Sequence, residues 1–268
     1  MKKYGLLLSG GVNRKWNAER YANDLGLAYE TLNKALGYMR ENICVLYADG
    51  YTINYLGNKI PTRKASVENI KNIFLSYQDK INDDDEFFFV VSNHGGEQKN
   101  GVIYLWGEKE YITLDSITQY LAQIPCRKMV ILGQCYAGNI LEWNHKNTII
   151  VTANEKGLPS YSMFDIIEIK KDGKIFNYNY DEFLYHFFSY LQNTYCNAED
   201  LTEIPDSVKI KQAFHFAYRK PVKGNQYGRQ EEYYTCEDCC GCPYGEKCKK
   251  TDKNRTVRIN EELSSMHK

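Results

Sequence analysis

Two short runs in this chain could carry nucleophilic chemistry. Asn93-His94-Gly95-Gly96 follows an apolar run at residues 87–91, and Gly133-Gln134-Cys135-Tyr136-Ala137-Gly138 follows another at 129–132. A thiol is a polarisable nucleophile and an imidazole handles protons near neutral pH; together they are what acyl transfer requires. An oxyanion hole also needs backbone N–H groups that can approach a reacting carbonyl, and Gly95 offers one with no side chain in the way. The N–H of Cys135 is a second candidate donor, and a helix opening behind the cysteine would favour its thiolate. Taken singly, a His-Gly pair is a turn and a cysteine after a strand is a small buried residue. Their occurrence at equivalent ends of two successive core strands favours the functional reading.

The elements that must position these loops are legible in the apolar pattern. Residues 4–8, 43–47, 87–91, 129–132 and 148–152 are short, nearly continuous apolar runs, as expected of strands buried on both faces of a parallel sheet. Between the first two, Ala18, Tyr21, Ala22, Leu25, Tyr29, Leu32 and Leu36 repeat at helical spacing, and Gly37 marks a stop. Residues 66–77 and 113–123 read as two further helices with Ser66 and Thr113 as N-caps. Helical patterns recur at 180–192 and 207–219, and residues 102–105 with Tyr111 suggest a hairpin. The alternation implies an α/β fold with a mainly parallel sheet and helices on both faces. In such a sheet the reactive loops lie beyond the carboxyl ends of the strands. The pattern stops near residue 222, which divides the chain into a body, 1–222, and a Cys-rich C-terminal extension, 223–268.

Composition narrows the function classes. The 268 residues are 43% hydrophobic and 25% charged, enough for a packed core. Lys plus Arg equals Asp plus Glu at 34 each, so charge balance gives no argument for nucleic acid or an anionic membrane as partner. No apolar stretch nears the roughly 20 residues that span a bilayer, and the N-terminal Leu6-Leu7-Leu8 run is too short for a secretion signal. A soluble, cytoplasmic protein is expected. The nine cysteines, an odd number without a secretion signal, argue against a disulfide framework covering them all. Cys236, Cys239, Cys242 and Cys248 in the extension are numerous enough for a structural zinc site, though without the paired spacing of a strong motif. Free reactive thiols are the equal alternative. Catalysis by the His94–Cys135 pair requires no cofactor.

The pair Asn93-His94-Gly95-Gly96 and Gln134-Cys135-Tyr136-Ala137-Gly138 resembles the His-Gly and Cys-x-(Ser/Ala)-Gly motifs of caspase-like cysteine peptidases. Cys135 follows His94 by 41 residues, and Gly138, three after the cysteine, is similar to the legumain type rather than to caspases proper. Leu8-Ser9-Gly10-Gly11, the run from Asn17 to Asp24, Val45 to Gly50, and Thr152-Ala153-Asn154 with Ser160-Tyr161-Ser162 extend the resemblance over about residues 3–220. It implies a caspase-like sheet of flavodoxin-like order and a cysteine endopeptidase acting on protein or peptide substrates.

In that reading Cys135 attacks the scissile carbonyl, His94 protonates the leaving amine, and the N–H groups of Gly95 and Cys135 bind the oxyanion. Arg20, Ser160 and Asp181 fall where the pocket for the residue before the cut (P1) is lined. Asp181 would suit P1 Asn through its amide, or Lys or Arg through charge, whereas Arg20 keeps P1 Asp open; a helix N-cap explains Asp181 equally well. Asn93 stands where legumain has an aspartate. The family's histidine-orienting asparagine falls near Ala18, with Asn17 one residue off. A transpeptidase or transamidase would use the same thioester, and a catalytically silent peptide-binding scaffold is the rival outside enzymes. Oligomeric state is not indicated by the sequence.

Overall fold

The computed structural model describes residues 1–163, 166–196 and 213–214, together with the backbone of strands at 222–226, 229–235 and 256–260. In chain order the strands are β1 (Lys3–Ser9), β2 (Ile43–Tyr47), β3 (Ile53–Tyr55), β4 (Asn58–Ile60), β5 (Glu86–Val91), β6 (Gly95–Gly96), β7 (Val102–Tyr104) and β8 (Tyr111–Thr113). They continue with β9 (Arg127–Leu132), β10 (Thr148–Thr152), β11 (Ile167–Lys171), β12 (Lys174–Tyr178), β13 (Val222–Gln226), β14 (Arg229–Thr235) and β15 (Thr256–Asn260). The helices are α1 (Glu19–Glu30), α2 (Val67–Lys80), α3 (Leu114–Ala122) and α4 (Glu182–Cys196).

Five strands form the central sheet in the order β10-β9-β5-β1-β2, every pairing parallel. Their side chains alternate between two cores. Leu7, Val45, Phe88, Val90, Met129 and Ile131 face one way and pack with Tyr21, Leu25 and Ala28 of α1 and Leu184, Phe187 and Phe188 of α4. Leu6, Leu8, Leu46, Phe87, Phe89, Val130 and Leu132 face the other way, against Ile70 and Phe74 of α2 and Leu114, Ile117 and Leu121 of α3. Burial on both faces is why these runs are nearly continuous in apolar residues rather than alternating. Ser66 and Thr113 cap α2 and α3, accepting from Asn69 N and Ser116 N.

The first helix departs from its sequence reading. The apolar stripe runs to Leu36, but α1 ends at Glu30 and a π turn follows over Thr31–Ala35. The Thr31 hydroxyl donates back to Leu27 O at 2.7 Å and Leu36 N bonds Thr31 O, widening the last turn. Three small antiparallel sheets decorate the body or follow it: β3–β4, β6-β7-β8 and β11–β12, with β13-β14-β15 beyond. The 102–105 hairpin is present as β7–β8; β3–β4 and β11–β12 are additions to the expected set. The helical pattern at 207–219 falls outside the described residues except for Ala213 and Phe214, which are helical.

Candidate functional site

Strand pairing sets the geometry. Val91 of β5 is in register with Leu132 of β9, so His94 and Cys135 each lie three residues beyond paired strand ends. Gly133 N donates to Val91 O at 2.8 Å and carries the pairing one step further. The two loops then touch. A Cβ built on Gly95 would sit 2.0 Å from the Cys135 carbonyl oxygen, so only glycine permits this approach. Gly138 is required for a similar reason, because a Cβ there would lie 2.3 Å from the Glu155 backbone.

No hydrogen bond joins His94 and Cys135 among the described residues. The imidazole Nε2 is instead 2.8 Å from the carbonyl oxygen of Trp16, in the loop between β1 and α1. A carbonyl can only accept, so Nε2 carries the hydrogen and the neutral ring keeps a basic lone pair on Nδ1. Burial holds His94 below its ordinary 6.5; the Trp16 bond opposes that shift and nearby Arg20 adds to it. The ring is wedged edge-on between Trp16 and Tyr21, with centroids 6.4 Å and 5.2 Å away.

Asn93, fully buried beneath, accepts from Gly11 N at 3.0 Å and donates to Tyr104 O, tying the β1 loop to β7. Asn17, the residue expected near the histidine, does not reach it: its amide donates to the Tyr47 hydroxyl at 2.9 Å. This corrects the orienting role given to Asn17, and the neighbouring Trp16 carbonyl fills it. A backbone acceptor leaves no trace in residue type, which is why the sequence did not indicate it.

The cysteine is held by Ser160. Ser160 N donates to Cys135 Sγ at 3.4 Å, the Ser160 hydroxyl is 3.7 Å from the sulfur, and Ser160 O is 3.9 Å away. The helix expected behind the cysteine is a six-residue 3-10 segment, Ala137–Glu142, entered through Tyr136 in the left-handed region at φ 60°, ψ 18°. Its short dipole is a weak source of thiolate stabilisation, and the nearer polar donor is Ser160 N. Tyr104 N bonds His94 O, and antiparallel alternation then leaves the Gly95 N–H outside the β6–β7 ladder. The N–H of Cys135 has no acceptor among the described residues. Among the described residues, then, nothing occupies either amide, and both could meet a ligand oxygen.

Near the two loops, Arg20, Tyr21 and Gln134 carry buried polar atoms. Arg20 stacks over the Tyr21 ring at 4.4 Å, and its Nε is buried without a partner among the described residues, as is the Tyr21 hydroxyl. Gln134, wholly buried, has neither amide atom hydrogen-bonded among the described residues. A buried polar group without a partner is one that a polar ligand could complete. Asp181 is not free in this way. Its carboxylate accepts from Leu184 N at 3.0 Å as the N-cap of α4, and its own N–H donates to Asp24 Oδ1 at 3.0 Å. Asp24 Oδ2 takes the Ser92 hydroxyl at 2.5 Å.

Burial is the main force on both carboxyls. It pushes Asp24 up to about 7 against the Ser92 hydroxyl, the Asp181 N–H and Arg20. Asp181 is raised well above the carboxylate range by burial and by Asp24. Asp24 was not foreseen; it reads as one more polar residue on a helix. Cys236, Cys239, Cys242 and Cys248 lie outside the described residues, and no metal-ligating cluster occurs among those described.

The molecule is thus an α/β protein with a five-stranded parallel sheet and a thiol–imidazole pair at its carboxyl edge. A transposase DDE domain family matches residues 210–268, beyond α4. No curated protein matches the chain. Among solved structures, protein GSU0716 from Geobacter sulfurreducens is similar at 15% identity and a TM-score of 0.38, over 53% of this chain and 53% of that one.

The expected membership of the caspase-like, legumain-type peptidases is corrected by these findings, since the family model found to match is a transposase DDE domain. The motifs that suggested it are short, and glycines beside a strand-end cysteine serve any close loop contact, as Gly95 and Gly138 show. No helix among the described residues is long and apolar enough to cross a membrane.

Proposed function

We propose that this chain is a cysteine endopeptidase that cleaves peptide bonds through a thioester, with Cys135 as nucleophile and His94 as general acid and base. The observation that carries the reading is the shared register of β5 and β9, with Gly95 packed on the Cys135 carbonyl. It supports an imidazole and a thiol on touching loops, with the Gly95 and Cys135 amides unoccupied among the described residues. In the reaction the thiol proton passes to Nδ1 of His94, and sulfur adds to the scissile carbonyl. The oxyanion is met by Gly95 and Cys135 N–H, and Nδ1 returns the proton to the departing amine. Water then releases the acid and restores the thiol. The Trp16 contact suits this cycle because it fixes the tautomer that leaves Nδ1 basic.

Of the P1 residues considered, asparagine and aspartate are better supported than lysine or arginine. Arg20 offers an Nε–H, unpartnered among the described residues, to a carboxamide or carboxylate oxygen, whereas Asp181 is engaged as a helix cap and held toward its neutral form, so it is a poor partner for a cation. The transposase match covers residues outside this site and contributes nothing to the reading. Cleavage of fluorogenic peptides with P1 Asn, Asp, Arg and Lys by the full chain, beside Cys135→Ala, tests it. Cleavage that vanishes in Cys135→Ala supports the peptidase; equal rates for both proteins would remove it.

A further inference from the structure

We propose that Asn154 is a positioning residue that aims the Cys135 N–H at the oxyanion, an inference that rests on the peptidase reading above. Asn154 follows β10, whose Thr152 is in register with Leu132 of β9. Ala153 N donates to Leu132 O at 2.9 Å, and the Thr152 hydroxyl donates to Asn154 O at 2.8 Å, turning the chain alongside the nucleophile loop. There one carboxamide bridges both sides of Cys135. Asn154 Nδ2 donates to Gln134 O at 2.8 Å, and Asn154 Oδ1 accepts from Gly138 N at 3.0 Å.

The first of these bonds has a chemical consequence. The Gln134 carbonyl and the Cys135 N–H belong to one planar trans peptide and point in opposite directions. Holding the oxygen on Asn154 therefore fixes the N–H facing away from Asn154, where it has no acceptor among the described residues. The loop needs such a tether because Tyr136, directly after the cysteine, occupies the left-handed region, which persists only where neighbours enforce it. Tyr136 N is taken up by Leu158 O at 2.8 Å, so the carboxamide and this bond grip the turn from both sides. Aspartate at 154 could still accept from Gly138 N but would set a second oxygen against Gln134 O.

The test separates oxyanion formation from access to the sulfur. A peptide aldehyde adds to Cys135 to give a hemithioacetal: an S–C bond forms, the carbonyl π pair moves to oxygen, and the thiol proton ends on that oxygen. Iodoacetamide alkylates the same sulfur by displacing iodide and develops no oxyanion. In the full chain, Asn154→Ala and Asn154→Asp should each weaken aldehyde binding and lower kcat by about 10²-fold, the scale of one lost oxyanion donor. KM should stay within about threefold, and alkylation of Cys135, mapped by mass against Cys44 and Cys126, should also hold within about threefold. Wild-type aldehyde affinity in folded Asn154→Asp, or aldehyde and iodoacetamide rates falling together, would overturn the role of Asn154. If wild-type protein cleaves no peptide, the peptidase reading fails by itself, and the aldehyde-to-alkylation ratio still decides Asn154.

Discussion

His94 is tied to Trp16 and not to Cys135: its Nε2 lies 2.8 Å from the Trp16 carbonyl, while the sulfur takes its hydrogen bond from Ser160 N. Imidazole and thiol are thus held independently, and removing one leaves the other in place. His94→Ala should lower peptide cleavage by about 10²–10⁴-fold, the range of a lost acid–base group. Iodoacetamide should still label Cys135 in that variant. Loss of labelling together with cleavage would mean that His94 maintains the loop rather than moving protons.

The same contact sets a pH expectation. Burial lowers His94 from 6.5, so the ring is neutral, with Nδ1 available, at pH values where an exposed histidine is already half protonated. The acid limb of kcat/KM should lie below 6.5. A limb above 6.5 in a full pH profile would assign it to another group.

Gly95→Ala probes the contact between the loops. Its Cβ would fall 2.0 Å from Cys135 O and 2.9 Å from Gln134 Cγ, and the first of these neighbours is backbone. One loop must move, at a cost of about 1–3 kcal/mol for overpacking and with about a hundredfold loss in kcat from a displaced reacting group. Urea denaturation and steady-state kinetics on the same preparation measure both. A variant with wild-type stability and rate would show that the loops do not meet as described.

The pattern that made the five sheet strands legible was their double burial, which turns each into an unbroken apolar run, and the observed limits differ from the reading by two residues at most. Strand-end loops are then placed by sheet geometry, so His94, Gly95 and Cys135 could be brought together without coordinates. The hairpins β3–β4 and β11–β12 escaped because three- to five-residue strands, half exposed and partly polar, carry little periodic signal. The Trp16 carbonyl and the Asn154 clamp escaped because they depend on the path of a loop, and any residue type brings a carbonyl. Family kinship rested on short stretches of sequence, and in its two most specific motifs the glycines are explained by contact distance alone.

Asp181 distinguishes a cap from a pocket wall. Asparagine caps helices about as well as aspartate, whereas alanine costs about 1 kcal/mol. As the cap of α4, Asp181→Ala should lose about that much stability near pH 4, where the cost of burying an ionised carboxyl does not enter, and Asp181→Asn little, with the P1 profile unchanged in Asp181→Asn. A P1 preference that shifts in Asp181→Asn at constant stability would return the carboxyl to the substrate pocket.

Asp24 and Asp181 share one enclosure, and this fixes the sign of a stability change with pH. Asp24 is pushed from its ordinary 3.8 up to about 7, chiefly by burial. Between those values the folded chain holds a proton that the unfolded chain has released, so this group's stabilising contribution is complete below about pH 4 and is lost as pH rises through about 7. Asp181, also raised, acts in the same sense. Asn at position 24 keeps an acceptor for Asp181 N and can donate to the Ser92 hydroxyl oxygen, while never acquiring the buried charge. Asp24→Asn should therefore match wild type near pH 4 and melt above it at pH 8, by at least about 3 °C, on the order of 1 kcal/mol at this chain length. Melting curves of the two proteins from pH 4 to 8 decide it. Parallel curves would mean that Asp24 is ionised in the folded protein throughout, with Arg20 and the Ser92 hydroxyl outweighing its burial.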